Sequence, residues 1–139
     1  MNQILVDTWG WLAVHNPKDN FHKLALATYN DLLDQDMSFV TTNFVLAETY
    51  TNLRRWGSVN LSIKFGRSLA PIANTGALTI VRVTADDEIA AWSLFEKYDD
   101  LPDLSYIDCA SFAVMHRLGL SEALTGDKHF TLLGFTIRP

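Results

Sequence analysis

Asp7, Glu48, Asp108 and Asp127 are the residues of this sequence best placed to do chemistry. Each also has a structural explanation. Asp7 could cap a helix that follows it, Asp127 one that starts at Lys128, and Ser105-x-x-Asp108 reads as a capping box. Glu48 is harder to explain this way. Its neighbours one helical turn away are Phe44, Thr51 and Asn52, so no basic side chain is spaced to pair with it. Taken singly, the acids read as structural; gathered in one place, they read as a site. Like charges within a few ångströms raise one another's pKa unless a cation intervenes. Hard oxygen donors of this kind suit Mg2+ or Mn2+. An ion so held lowers the pKa of bound water and offsets charge on developing oxyanions, the chemistry of metal-assisted phosphodiester cleavage.

Other chemistries are poorly served. Cys109 is the one cysteine, which excludes an intrachain disulfide and a zinc finger. Neither Cys109 nor Ser111 has a histidine placed to activate it, which argues against covalent catalysis. His129 lies beside Asp127 and reads first as structural, second as a substrate contact; His116 falls mid-helix, as packing or surface. Trp9, Trp11, Trp56 and Trp92 read first as core or interface, although Trp9 and Trp11 stand near Asp7, where either could stack on a nucleobase.

The elements that must bring the acids together follow from pattern. Strands are expected at 3–6, 39–41, 78–83, 123–125 and 135–137. Helices are expected at 7–15, 20–36, 43–56, 60–74, 84–98, 105–118 and 128–133. Thr42 or Asn43 caps the third helix. Thr84 and Asp87 form a capping box for the fifth, and Gly119 ends the sixth. Such alternation predicts a three-layer α/β domain over 1–139, with a mostly parallel central sheet of about five short strands and helices on both faces. In a parallel sheet, each strand ends and each crossover helix begins at the carboxyl edge, where ligands bind. Asp7 and Asp127 directly follow strands. Asp108 opens the helix before the fourth strand, and Glu48 lies one to two turns into the helix after the second. The alternation therefore places all four at one edge.

Composition bounds the rest. The 139 residues are 48% hydrophobic, enough for a packed core. No apolar run is long enough for a membrane span, and the N-terminus reads as no signal peptide, so a soluble cytoplasmic protein is expected. The net charge of −5 argues against simple electrostatic nucleic-acid binding, yet 49–85 contains no acid and holds five of the 11 basic residues. Arg54, Arg55, Lys64 and Arg67 in that stretch are candidate phosphate contacts for a nucleic acid, with solvated surface or a protein contact as the alternatives.

ILVDT, TNFVLAET and LSYIDCASFAVMHRLGLSEALTGDKHF followed by LLGF, with its S-x-x-D-C and T-x-D-x-H-F runs, resemble the PIN-domain ribonucleases, in particular the toxins of VapBC-type toxin–antitoxin pairs. The resemblance spans essentially the whole chain. It implies a Mg2+- or Mn2+-dependent endoribonuclease whose acidic quartet falls on Asp7, Glu48, Asp108 and Asp127, with Asp103 and Ser105 in secondary roles. It further implies an RNA substrate, a small antitoxin partner and a homodimer. The apolar and aromatic content of 20–36 and 43–74, including Phe21, Tyr50, Trp56 and Phe65, fits such interfaces. A non-toxin RNA-processing nuclease and a non-catalytic RNA-binding domain are the alternatives. Phosphatases and receiver domains of similar layering want acids or a lysine that this chain lacks; the position two residues after Asp7 is Trp9.

Overall fold

The computed structural model describes residues 2–139. The chain runs β1 (Gln3–Val6), α1 (Thr8–His15), α2 (His22–Asp34), β2 (Ser38–Thr42), α3 (Asn43–Asn52), a π-helical turn (Leu53–Gly57) and α4 (Val59–Asn74). It continues through β3 (Leu78–Val81), α5 (Ala85–Lys97), α6 (Tyr106–Leu118), β4 (Glu122–Leu124), α7 (His129–Leu132) and β5 (Thr136–Ile137). The five strands form one sheet in the order β3-β2-β1-β4-β5, and every pairing is parallel.

β1 is central, and Ile4, Leu5 and Val6 are wholly buried because helices cover both faces. Successive side chains of a strand point to opposite faces. Ile4 and Val6 accordingly pack with Trp11, Leu32, Val45, Leu53 and Phe65 from α1, α2, α3, the π-helical turn and α4. Leu5 packs with Ala91, Phe112, Met115 and Phe130 from α5, α6 and α7. The chain lays down β1, β2 and β3 to one side, then crosses to β4 on the other side of β1. The direction in which the chain adds strands therefore reverses between β1 and β4, and the carboxyl ends of strands at such a switch point are where open α/β sheets bind ligands.

Three departures from the expected elements have local causes. The helix expected over 43–56 ends at Asn52, and the wider π-helical turn keeps Leu53 in the core while Arg54, Arg55 and Trp56 reach the surface. β3 stops at Val81 because the Val83 N–H turns to the side chain of Asn43, 2.8 Å away, instead of a strand. α2 ends early, and Asp36 adopts a left-handed conformation (φ 58°) that turns the chain into β2.

The expected surface aromatics divide. Phe21, Tyr50 and Trp56 are exposed, but Phe65 belongs to the core at 2% exposure. On the opposite face of the sheet, Ile89 and Trp92 on α5 and Leu132 on α7 are exposed; Trp92, read from the sequence as core or interface, is not core. Among the described residues, no helix is long and apolar enough to cross a membrane.

Candidate active site: an acidic cleft beside the central strand

Asp7 leaves the end of β1 as the N-cap of α1. One carboxylate oxygen accepts the Gly10 N–H at 2.8 Å, the ordinary work of a cap. The other accepts the hydroxyl of Thr125 at 2.6 Å, across the switch point. Thr125 also accepts the Asp127 N–H at 2.9 Å, so one buried hydroxyl couples the two strand ends. Asp7 is 3% exposed. Burial pushes its pKa up to about 7; the bonds from Thr125 and Gly10 hold it back, and the charges of Asp127 and Glu48 add to the rise.

Asp108 sits in the first turn of α6. Ser105 caps that helix, accepting the Asp108 N–H at 3.0 Å. The reciprocal bond of a capping box is not made, in contrast to Thr84 and Asp87 on α5, where both bonds are present. The Asp108 carboxylate is thus free of capping work and meets Asp127 instead. Burial first, then contact with Asp127, then the charges of Asp7 and Glu48 push Asp108 up to about 9. Asp127 and Glu48 therefore act electrostatically on both Asp7 and Asp108, which brings together acids from four different elements or loops.

Asp127 accepts the His129 N–H at 2.9 Å through Oδ1, closing a tight turn before α7. The same oxygen lies 2.8 Å from His129 Nδ1, at an angle that makes no hydrogen bond and leaves Nδ1 unpartnered. His129 Nε2 faces Asp103 at 3.3 Å, so the imidazole lies between two carboxylates. Asp103 itself is 79% exposed at the rim. Ser105 faces the α6 backbone as a cap. Glu48 is half-buried on α3. Arg54, Arg55, Lys64 and Arg67 are exposed on the π-helical turn and α4, and Lys64 shares a groove of about 310 Å3 with Asn16, Lys18 and Ser58. Among the described residues, no Lys or Arg forms an ion pair with any of the four acids.

The donor set fits a divalent cation. One ligand atom each from Asp108, Asp127 and His129 lies within 4.8 Å of the others, a span that metal–ligand bonds of about 2.0–2.6 Å can bridge. Asp7 and Glu48 stand outside that compact trio and close enough to raise the pKa of Asp108. Carboxylates pushed up by burial and by neighbouring negative charge are the condition that such an ion relieves. Sequence reasoning gave His129 no ligand role and missed Thr125. The T-x-D run contained that hydroxyl, but spacing alone does not show that it folds back onto an acid 118 residues earlier.

Comparison with known proteins agrees with this fold. Residues 4–135 match the PIN domain family. The 23S rRNA-specific endonuclease VapC20 of Mycobacterium tuberculosis is 32% identical over 137 residues, covering 98% of each chain. The crystal structure of VapC20, described as a Sarcin-Ricin loop cleaving toxin, superposes with a TM-score of 0.81, covering 98% of this chain and 99% of that one. VapBC2 from Rickettsia felis, bound to a promoter DNA fragment, matches at TM-score 0.67 and 14% identity, covering 97% and 96%. FitAcB from Neisseria gonorrhoeae matches at TM-score 0.65 and 14% identity, covering 98% and 96%; both likenesses bear on the fold.

Proposed function

The chain belongs to the PIN-domain family, and from that premise we propose that its acidic cleft hydrolyses RNA phosphodiester bonds with Mg2+ or Mn2+, as the toxin of a toxin–antitoxin pair. The observation that carries the reading is the gathering of Asp7, Glu48, Asp108 and Asp127 without a basic partner, with the Asp7 and Asp108 carboxyls pushed well above the ordinary carboxylate range by burial and by the neighbouring acids.

Asp108 and Asp127, with His129 beside them, would hold the ion, and Asp7 and Glu48 would complete the negative charge around it. When bound, the ion supplies a Lewis acid that makes water a nucleophile at neutral pH and offsets charge on the phosphate. The chain's own groups set the geometry. Gly10 and Thr125 fix both oxygens of Asp7, so the carboxylate cannot rotate away. Asp127 is fixed twice, by its own N–H on Thr125 and by the His129 N–H on its carboxylate. Asp7 and Asp108 give up protons as the cation enters.

Arg54, Arg55, Lys64 and Arg67 supply exposed positive charge for the RNA backbone, which an acidic cleft alone would repel. An antitoxin that lays an apolar segment on the exposed side chains of α2, α3 and α4 and inserts a basic residue among the carboxylates would neutralise the same charge and displace the ion. A homodimer would set two clefts in one particle.

The test is cleavage of a 5′-labelled hairpin carrying the sarcin–ricin loop, and of an unstructured RNA 12-mer, with Mg2+, Mn2+ or excess chelator. Cleavage that requires the ion and disappears in Asp108→Asn is expected. Undiminished cleavage in chelator would sink the proposal.

A further inference from the structure

Two tryptophans closely follow Asp7 in sequence, and the fold separates their roles. Trp11 is wholly buried, and its indole N–H donates to Thr41 Oγ1 at 3.0 Å in the core. Trp9 is only half-buried. It stands in the first turn of α1, two residues after Asp7, and its six-membered ring lies against the backbone of Gly126, the residue between Thr125 and Asp127. A Cβ at Gly126 would overlap that ring. Gly126 has no left-handed backbone to explain its lack of a side chain, so the glycine serves the close approach of the indole. Trp9 also meets Phe21, with ring centroids 5.3 Å apart and planes tilted by 42°. Phe21 opens α2 and is 50% exposed, its N–H held by Asp19 Oδ1 at 2.8 Å.

These contacts make an aromatic ledge fastened at two points to the acid cleft: to Asp7 through the first turn of α1, and to Asp127 through Gly126. A phosphodiester brought to the acids carries a base on each side. A base turned out of its stack needs a π-face, and single-stranded RNA is held in that way on aromatic side chains. Phe21, half-exposed beside Trp9, extends the aromatic surface toward solvent at the edge of the cleft.

We propose that Trp9, supported by Phe21, stacks on a nucleobase next to the scissile phosphate and so helps to determine which RNA position is cut. The proposal rests on the ribonuclease reading of the cleft. It makes Trp9 a specificity-determining residue rather than a member of the ion-binding set.

The test uses kcat/KM for the sarcin–ricin hairpin and the unstructured 12-mer, each with single bases replaced in turn by an abasic residue, cleaved by wild type, Trp9→Leu and Phe21→Leu in Mg2+. Wild type is expected to lose about 5- to 100-fold at one abasic position beside the cut. Trp9→Leu should lose a similar factor on the intact RNA and nothing further at that position. Phe21→Leu, at a half-exposed site that leaves the fold intact, should show the same pattern more weakly. Equal losses by wild type and both variants at every abasic position would overturn the ledge. So would unaltered kcat/KM with weakened binding of a co-purified protein partner, which would make the ledge a protein contact. If wild type cleaves RNA but no position couples to Trp9, only the ledge falls. If wild type cleaves neither RNA, the ribonuclease reading falls and the ledge with it.

Discussion

At the residue scale, the account turns on where protons reside. In the unfolded chain Asp7 and Asp108 ionise near 3.8; in the folded chain they keep their protons to about 7 and about 9. The folded state therefore binds more protons across that interval, and the ion-free protein loses stability as pH rises from about 4 to about 9. Asp108→Asn removes the penalty. Its expected effect is a higher Tm than wild type at pH 8 without metal, alongside lost cleavage; a lower Tm would show that burial of Asp108 is not the strain described. Thr125 works in the opposite direction, holding the pKa of Asp7 down. Thr125→Val should move the alkaline rise of the cleavage profile to higher pH and lower the rate at pH 7 by about tenfold, with Thr125→Ser restoring both. Gly126→Ala should destabilise the fold by about 1–3 kcal/mol in thermal melts, because the added methyl meets the Trp9 ring. The four acids were legible in sequence because strand–helix alternation alone assigns them an edge. Thr125 and Gly126 were not, because their importance lies in contacts with residues more than a hundred positions away.

Among elements, α5 and α6 form most of the cover on one face, and an ion pair helps to tie them. Asp87, 3% exposed, serves the capping box of α5 and takes two hydrogen bonds of 2.8 Å from Arg117 near the end of α6. The Arg117 guanidinium is the main reason that the Asp87 carboxyl is held down at about 2. The stabilisation is complete above the unfolded value of 3.8 and is lost as pH falls toward 2, on the order of 2 kcal/mol for one such shift. Arg117→Ala leaves a buried carboxylate unpaired. It should cost about 2–3 kcal/mol, less than stranding a wholly buried pair because Arg117 is 39% exposed. A Tm lowered by about 5–10 °C at pH 7, with little difference from wild type at pH 2, is the expected reading. The capping box was legible from Thr84-x-x-Asp87; the ion pair was not, since no local rule links residues 30 apart. The π-helical turn was equally hidden, because Leu53–Gly57 carries an ordinary helical composition and is widened by the need to bury Leu53.

For the whole molecule, the parallel sheet and its helix layers followed from the order of elements, but the strand order did not: alternation is compatible with several arrangements, and only packing puts β1 at the centre. That central place sets Asp7 at the switch point with Asp127 opposite. Surface charge distributes around it: acids in the cleft, Arg54 and Arg55 exposed on the π-helical turn. Replacing both arginines by alanine should weaken RNA binding and reduce the slope of affinity against salt by about two counterions' worth, read by anisotropy from 50 to 200 mM salt. An unchanged slope would remove them from the RNA path. The most direct measurement of the central claim, that the four carboxylates are one site for a divalent ion, is calorimetric titration of Mn2+ into the protein at pH 7.5 in buffers of different ionisation enthalpy. The account predicts binding with release of protons, supplied by Asp108 and by the fraction of Asp7 still protonated, and a release that largely disappears in Asp108→Asn. Mn2+ binding without proton release, or a release unaltered by that substitution, would contradict it.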